Sequence, residues 1–176
     1  VINTLIDSNP GVRFGMMSFN VDGSFNPEAQ TDSGGRVVFP VSTMDATKRT
    51  ALHAIVNGYS PDTWTPLAET MYEAYLYLSG QAPRYGNSTN PASPAAAATA
   101  QSGGKYVSPI LYSCQKTFII LVTDGDPTLD ENADSLIDAL PSIGTPSIID
   151  YYAGTYATAG HKSRLAVLAG WMYDND

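Results

Sequence analysis

Two apolar runs constrain the fold of this chain more than any other feature. Val12–Asn20 (VRFGMMSFN) is apolar almost without interruption, the pattern of a strand covered on both faces. Lys116–Thr123 (KTFIILVT) is a second such strand, and it ends in two carboxylates one residue apart, Asp124 and Asp126, with Thr123 and Thr128 on either side. Helical spacing lies between and after these runs, and strands that alternate with helices predict an α/β protein with a largely parallel sheet. In such sheets function gathers in the loops at the carboxyl ends of the strands. The Asp124 turn lies at such an end.

Val1–Ile6 reads as a helix end, and Asp7-Ser8-Asn9 as the turn after it. Val21-Asp22-Gly23-Ser24 is a turn, and Arg36–Val41 (RVVFPV) is a strand that completes a long-looped hairpin, with Pro40 placing it at an edge. Leu52, Ile55, Val56 and Tyr59 predict a helix capped by Ser42 or Thr43 and ended by Asn57-Gly58. Thr65-Pro66 predicts the next helix start, a hydroxyl N-cap followed by proline at the first position, with Leu67, Met71, Ala74, Tyr75 and Leu78 as the apolar stripe and Gly80 as the stop. Tyr72, Tyr75 and Tyr77 read as packing residues. About residues 81–105 the chain turns Pro-, Ala-, Ser-, Asn- and Gly-rich, which predicts a long, mobile surface loop. Ala133, Leu136, Ile137 and Leu140 mark a helix ended by Pro141, residues 145–160 are irregular or a short strand with a loop, and Leu165, Leu168, Ala169 and Met172 mark a last helix. His53 and His161 have no acidic or cysteine partner at ligand spacing and are expected to be exposed.

The 176 residues fit one domain. A net charge of −8 with no cluster of Lys and Arg argues against a nucleic-acid surface. No apolar run is long enough for a membrane span, and the first residues carry no signal-peptide pattern. A charged fraction of 15% beside abundant Tyr, Thr, Ser, Asn, Gly and Pro is the balance of an exported surface protein. The single cysteine, Cys114, is either a buried inert thiol or has a partner outside this segment.

The acidic turn admits three chemistries. Asp124-Gly125-Asp126-Pro127-Thr128 after an apolar strand is similar to the first motif of haloacid-dehalogenase-type phosphatases, which makes Asp124 the nucleophile and Asp126 the general acid with Mg²⁺; Lys162, Asp174 and Asp176 would have to supply the rest. That motif opens its domain, whereas here most of the chain precedes it. A calcium loop through Asp124, Asp126, Thr128 and Asp130 fails on Leu129, which stands where the sharp turn needs glycine, and on the missing glutamate at the twelfth position. The third chemistry takes Thr65 with Asp124: a hydroxyl at a helix start and a carboxylate at a strand end face one metal if their loops are neighbours, and Mg²⁺ keeps several waters, so few protein oxygens suffice. Against each stands a plain structural role, Thr65 as a helix cap and Asp124 as a strand terminator.

GMMSFN, WTPLAETMYEAYLYLSG and FIILVTDGDPT, in that order, resemble a von Willebrand factor A domain with its metal-ion-dependent adhesion site. TPLAETMYEAYLYLSG, Tyr106-Val107-Ser108-Pro109-Ile110, Cys114–Ile120 and the ending LAGWMYDND are similar to the A domain of the PilY/PilC family of type IV pilus tip proteins. The resemblance runs from about Val12 to Asp176. It implies a Rossmann-like three-layer sandwich with a mainly parallel central sheet, formed by residues 1–176 as one incomplete domain. It also implies a non-enzymatic role in pilus biogenesis and surface attachment, pilus proteins such as minor pilins and host or surface ligands as partners, and export through the periplasm to the cell surface.

By motif, Thr65 and Asp124 take two of the three roles in an adhesion site for Mg²⁺ or Mn²⁺, and Asp126 is a bystander or caps the following helix. The Asp-x-Ser-x-Ser loop that supplies the rest has no match: Asp22-Gly23-Ser24-Phe25-Asn26 reads better as a hairpin turn. The expectation is that the first strand and its loop lie upstream of Val1, that the closing strands lie downstream of Asp176, and that metal binding by this segment alone is weak or absent. A chain lacking its central strand would expose flanking strand edges and apolar faces.

Overall fold

The computed structural model describes residues 1–21, 34–60, 64–87, 96–123, 125, 127–128, 130–143 and 164–175. Their order is α1 (Ile2–Ser8), β1 (Arg13–Phe19), β2 (Gly35–Thr43), α2 (Ala46–Asn57), α3 (Leu67–Leu78), a 3₁₀ turn at Ala98–Ala100, β3 (Gln101–Ser102), β4 (Lys105–Tyr106), α4 (Asp134–Asp138) and α5 (Leu165–Asp174). The protein is mixed α/β. Both sheets among the described residues are two-stranded and antiparallel, β1 with β2 and β3 with β4.

The expected long hairpin is present, and Pro40 shapes it. Opposite Phe14 and Met16 stand Ser42 and Phe39, and opposite Met17 stands Val37, so β2 carries extra residues around Val38 and around Pro40–Val41. Proline has no N–H to give a ladder, and a bulge removes the demand for one. The bulged Val41 N–H instead donates to the Tyr77 hydroxyl at 2.8 Å, pinning β2 to α3. The expected burial of β1 on both faces is only half realised, since its residues are half-buried apart from the exposed Gly15. Phe14 and Met16 pack with Ile6, Met44 and Leu52 from α1, the link after β2 and α2. Met17 points the other way, to the cluster of Val37, Leu76, Tyr77, Ala96, Ala100 and Tyr106.

Helix caps fall a residue or more from their sequence positions. Asp45, not Ser42 or Thr43, caps α2 by accepting from the Lys48 N–H at 2.8 Å, because both hydroxyl residues are spent on the end of β2. Pro66 occupies the N-cap of α3, and the Thr65 hydroxyl makes no capping bond. His53, expected to be exposed, is partly covered and pairs with Asp7 of α1 at 3.2 Å, with Arg49 3.7 Å from the same carboxylate. His161 lies outside the described residues. Tyr75 packs edge-on against Trp171 of α5 at 5.4 Å.

Within the Gln81–Lys105 stretch, residues 84–86 are tied to α3. Glu73, fully buried in α3, accepts from the backbone N–H groups of Arg84 (3.1 Å), Tyr85 (2.8 Å) and Gly86 (3.0 Å) and from the Tyr106 hydroxyl (2.6 Å). A Cβ at Gly86 would collide with Tyr106 Oη, so only glycine lets this backbone close on the carboxylate. Tyr85, Ala96, Ala100 and Tyr106 are buried as a result.

Lys116–Thr123 departs most from expectation. It pairs with no strand among the described residues. Phe118, Ile120 and Val122 are 81%, 67% and 65% exposed, and Ile119 and Leu121 lie near 43% and 40%. A strand needs a neighbour for its ladder and a cover for its faces, and no described segment supplies either. Cys114, just before it, is exposed rather than buried.

Glu73→Ala is expected to destabilise the fold by roughly 2–4 kcal/mol, because it strands several buried donors at once. Urea titration followed by circular dichroism should show a lower midpoint; an unchanged midpoint would mean the 84–86 segment is not anchored through this carboxylate.

Candidate functional site at the start of α3

The structure joins the α3 start to Thr128. The Thr65 carbonyl accepts from the Leu67 N–H at 3.0 Å and from the Thr128 N–H at 3.1 Å, a link across sixty-odd residues of chain. Thr65 is half-buried at this junction. Around position 124 the Thr123 hydroxyl bonds the Gly125 carbonyl at 3.1 Å and lies 3.3 Å from the Gly125 N–H, closing a tight turn. Asp124 and Asp126 lie outside the described residues, so of the two motif-assigned ligands the structure places only Thr65.

The junction is held by two carboxyl groups that sequence reasoning did not single out for it. Asp130 Oδ1 accepts from the Ala68 N–H at 2.6 Å, capping α3 from a distant segment. Glu69 Oε1 accepts from the Asn132 N–H at 2.7 Å, so each carboxyl group grips the backbone of the other's segment. Glu69 is fully buried and Asp130 is 5% exposed, with Glu69 Oε2 and Asp130 Oδ2 both shut off from solvent. Burial first, and then the hydrogen bond and the charge of Asp130, push the Glu69 pKa up to about 9. The neutral form of Glu69 is thereby favoured beside the Asp130 carboxylate. The sequence signal was present but weak: Glu69 and Glu73 are the two charges of an otherwise apolar helix, which reads as one face in water until both faces are covered.

Among the described residues no group of three or more His, Cys, Asp or Glu is placed to hold a metal. Glu69 and Asp130 are committed to backbone donors and to each other. Of the set a phosphatase would need, Asp174 is exposed at the last turn of α5, and Lys162 and Asp176 lie outside the described residues.

The folded state keeps a proton on Glu69 that the unfolded chain releases near 4.5, so stability is full at acid pH and declines as pH rises from about 4.5 to about 9. Asp134, raised by burial to about 6, titrates lower in this range. Glu73 is also raised by burial and acts in the same direction; Glu69 carries the decline furthest, and thermal melts should fall by several degrees by about pH 9. Glu69→Gln, which keeps both the acceptor and a donor toward Asp130, should flatten that slope; an equal slope in the variant would show that Glu69 is not the titrating group. No family model matches this chain, and no curated protein and no solved structure matches it either.

Proposed function

We propose that this chain is a non-enzymatic adhesion and assembly module of the von Willebrand A type, belonging to a type IV pilus tip protein at the bacterial cell surface. One observation supports the reading beyond the sequence motifs: the bond from Thr128 N–H to the Thr65 carbonyl ties the Thr-Pro-Leu helix start to the segment that follows the Thr-Asp-Gly sequence. An adhesion-type site draws its hydroxyl from that helix start and its aspartate from the Thr-Asp-Gly sequence. In this reading the Lys116–Thr123 run is a strand of a parallel sheet, and its open edges are where the remaining strands of the sheet belong.

Thr65, whose hydroxyl is not spent on capping, and Asp124 would hold Mg²⁺ or Mn²⁺ together with waters. Bound there, such an ion supplies an open coordination position for a carboxylate of a partner. The protein's own part is to hold the two loops in register, through the Thr65–Thr128 bond and the Glu69–Asp130 pair. Partners in this reading are minor pilins and host or surface ligands. No helix among the described residues is long and apolar enough to cross a membrane.

With two ligands alone, the isolated chain should bind Mg²⁺ and Mn²⁺ more weakly than micromolar in calorimetry; micromolar affinity abolished by Asp124→Ala would show a complete site. In the piliated cell, Asp124→Ala should reduce attachment, whereas normal attachment and piliation would make the metal site vestigial. Phosphomonoester turnover with Mg²⁺ that disappears in Asp124→Asn would replace adhesion with phosphoryl transfer.

A further inference from the structure

Asn57 is the last residue of α2, and among the nine asparagines of the chain it alone precedes glycine. Asn9, Asn26 and Asn90 precede proline, whose nitrogen has no proton to lose. An asparagine side chain holds an electrophilic amide carbon within reach of the backbone nitrogen of the next residue. A Cβ on that next residue crowds the approach, and glycine has none. Asn57–Gly58 is thus the pair in this sequence whose backbone meets the least obstruction to attack on a neighbouring side chain.

The structure leaves the pair accessible. Asn57 and Gly58 are both exposed, and Tyr59 and Ser60 after them lie in no helix or strand. The Gly58 N–H, the nucleophile, is shared between the Ala54 and Ile55 carbonyls at 3.1 Å each, a three-centre bond at a helix terminus. Bonds at a fraying terminus open at little cost in free energy. The amide of Asn57 also ties two helices together, since its Oδ1 accepts from Asn3 Nδ2 of α1 at 3.0 Å.

We propose that Asn57–Gly58 is a site of spontaneous deamidation through a cyclic imide, and that the reaction loosens α1 from α2. The Gly58 nitrogen bonds to Asn57 Cγ and gives its proton to solvent base, the Cγ–Nδ2 bond breaks, and Nδ2 takes up a proton and leaves as ammonia. Water then opens the five-membered imide at either carbonyl, which leaves aspartate or isoaspartate at position 57 with no change in oxidation state. Aspartate sets a negative charge at the carboxyl end of α2, where the helix dipole disfavours one. Isoaspartate routes the main chain through the former side chain, so an added methylene carries Gly58 out of register with Ala54 and Ile55, and the carboxylate no longer stands where Asn3 meets it. Either product adds one negative charge to the net −8. This modification is independent of the Thr65 junction and of the metal reading.

The test incubates the whole 176-residue chain in mildly alkaline buffer and follows it by peptide mapping with mass spectrometry and by isoaspartyl methyltransferase labelling. The peptide that holds Asn57 should convert before any other asparagine peptide, with isoaspartate among its products. Gly58 sits in right-handed helical backbone (φ −91°, ψ −1°) that alanine also adopts, so Gly58→Ala should fold and should slow the conversion at least about tenfold. The converted protein, separated by ion exchange on its extra charge, should exchange the amide hydrogens of Ile2–Ser8 several-fold faster than the unconverted protein. No conversion at Asn57, conversion there no faster than at the other asparagines, an undiminished rate in a folded Gly58→Ala protein, or unchanged exchange in α1 after conversion would each overturn the proposal.

Discussion

Helix α3 has no side turned to water: every residue from Leu67 to Leu78 is buried or half-buried. That constraint governs the rest of the molecule. A helix covered all round must find partners for whatever polar groups it carries, and α3 carries two carboxyl groups one turn apart. Glu73 is answered by three successive backbone N–H groups and a tyrosine. Glu69 is answered by the Asn132 N–H, and its burial beside Asp130 favours its neutral form. The chain segments that flank the candidate site are thus recruited by the polar needs of one helix, while its apolar surface builds two of the three core clusters.

Much of this was legible in the residues, for reasons of locality. The β1–β2 hairpin, α2, α3 and α5 follow from runs and periodicities of a dozen residues, and they stand where those patterns place them. Cap positions slipped because hydroxyls and carboxylates near a helix start compete, and the backbone path decides between Thr43 and Asp45. The anchoring of residues 84–86 was not legible because the local composition is that of a loop, whereas the carboxylate that holds them, Glu73, lies outside the stretch. The same holds for His53 with Asp7 and for Asp130 with Ala68: each contact joins segments more than forty residues apart, and nothing in either local sequence names the other.

The candidate site shows the same division. Thr65 stands out in the sequence through a short motif, and its bond to Thr128 is a property of the fold. Asp130 entered the sequence reading only as one member of an alternating acidic series. Its place at the α3 N-terminus makes it the residue that holds the junction shut, and Glu69 is protonated because that place is dry. Function at this junction would rest on residues whose own chemistry is structural.

The Phe118–Val122 run has a colloidal consequence. An exposed run of consecutive apolar side chains outside any sheet is sticky toward its own kind in neighbouring molecules. What opposes that contact is the chain's net charge of −8, a long-range repulsion that acts before any side chain touches. Salt shortens its reach, from about 10 Å at 0.1 M to about 3 Å at 1 M. Dispersion of the protein in water is therefore an electrostatic balance, set by the buffer as much as by the fold.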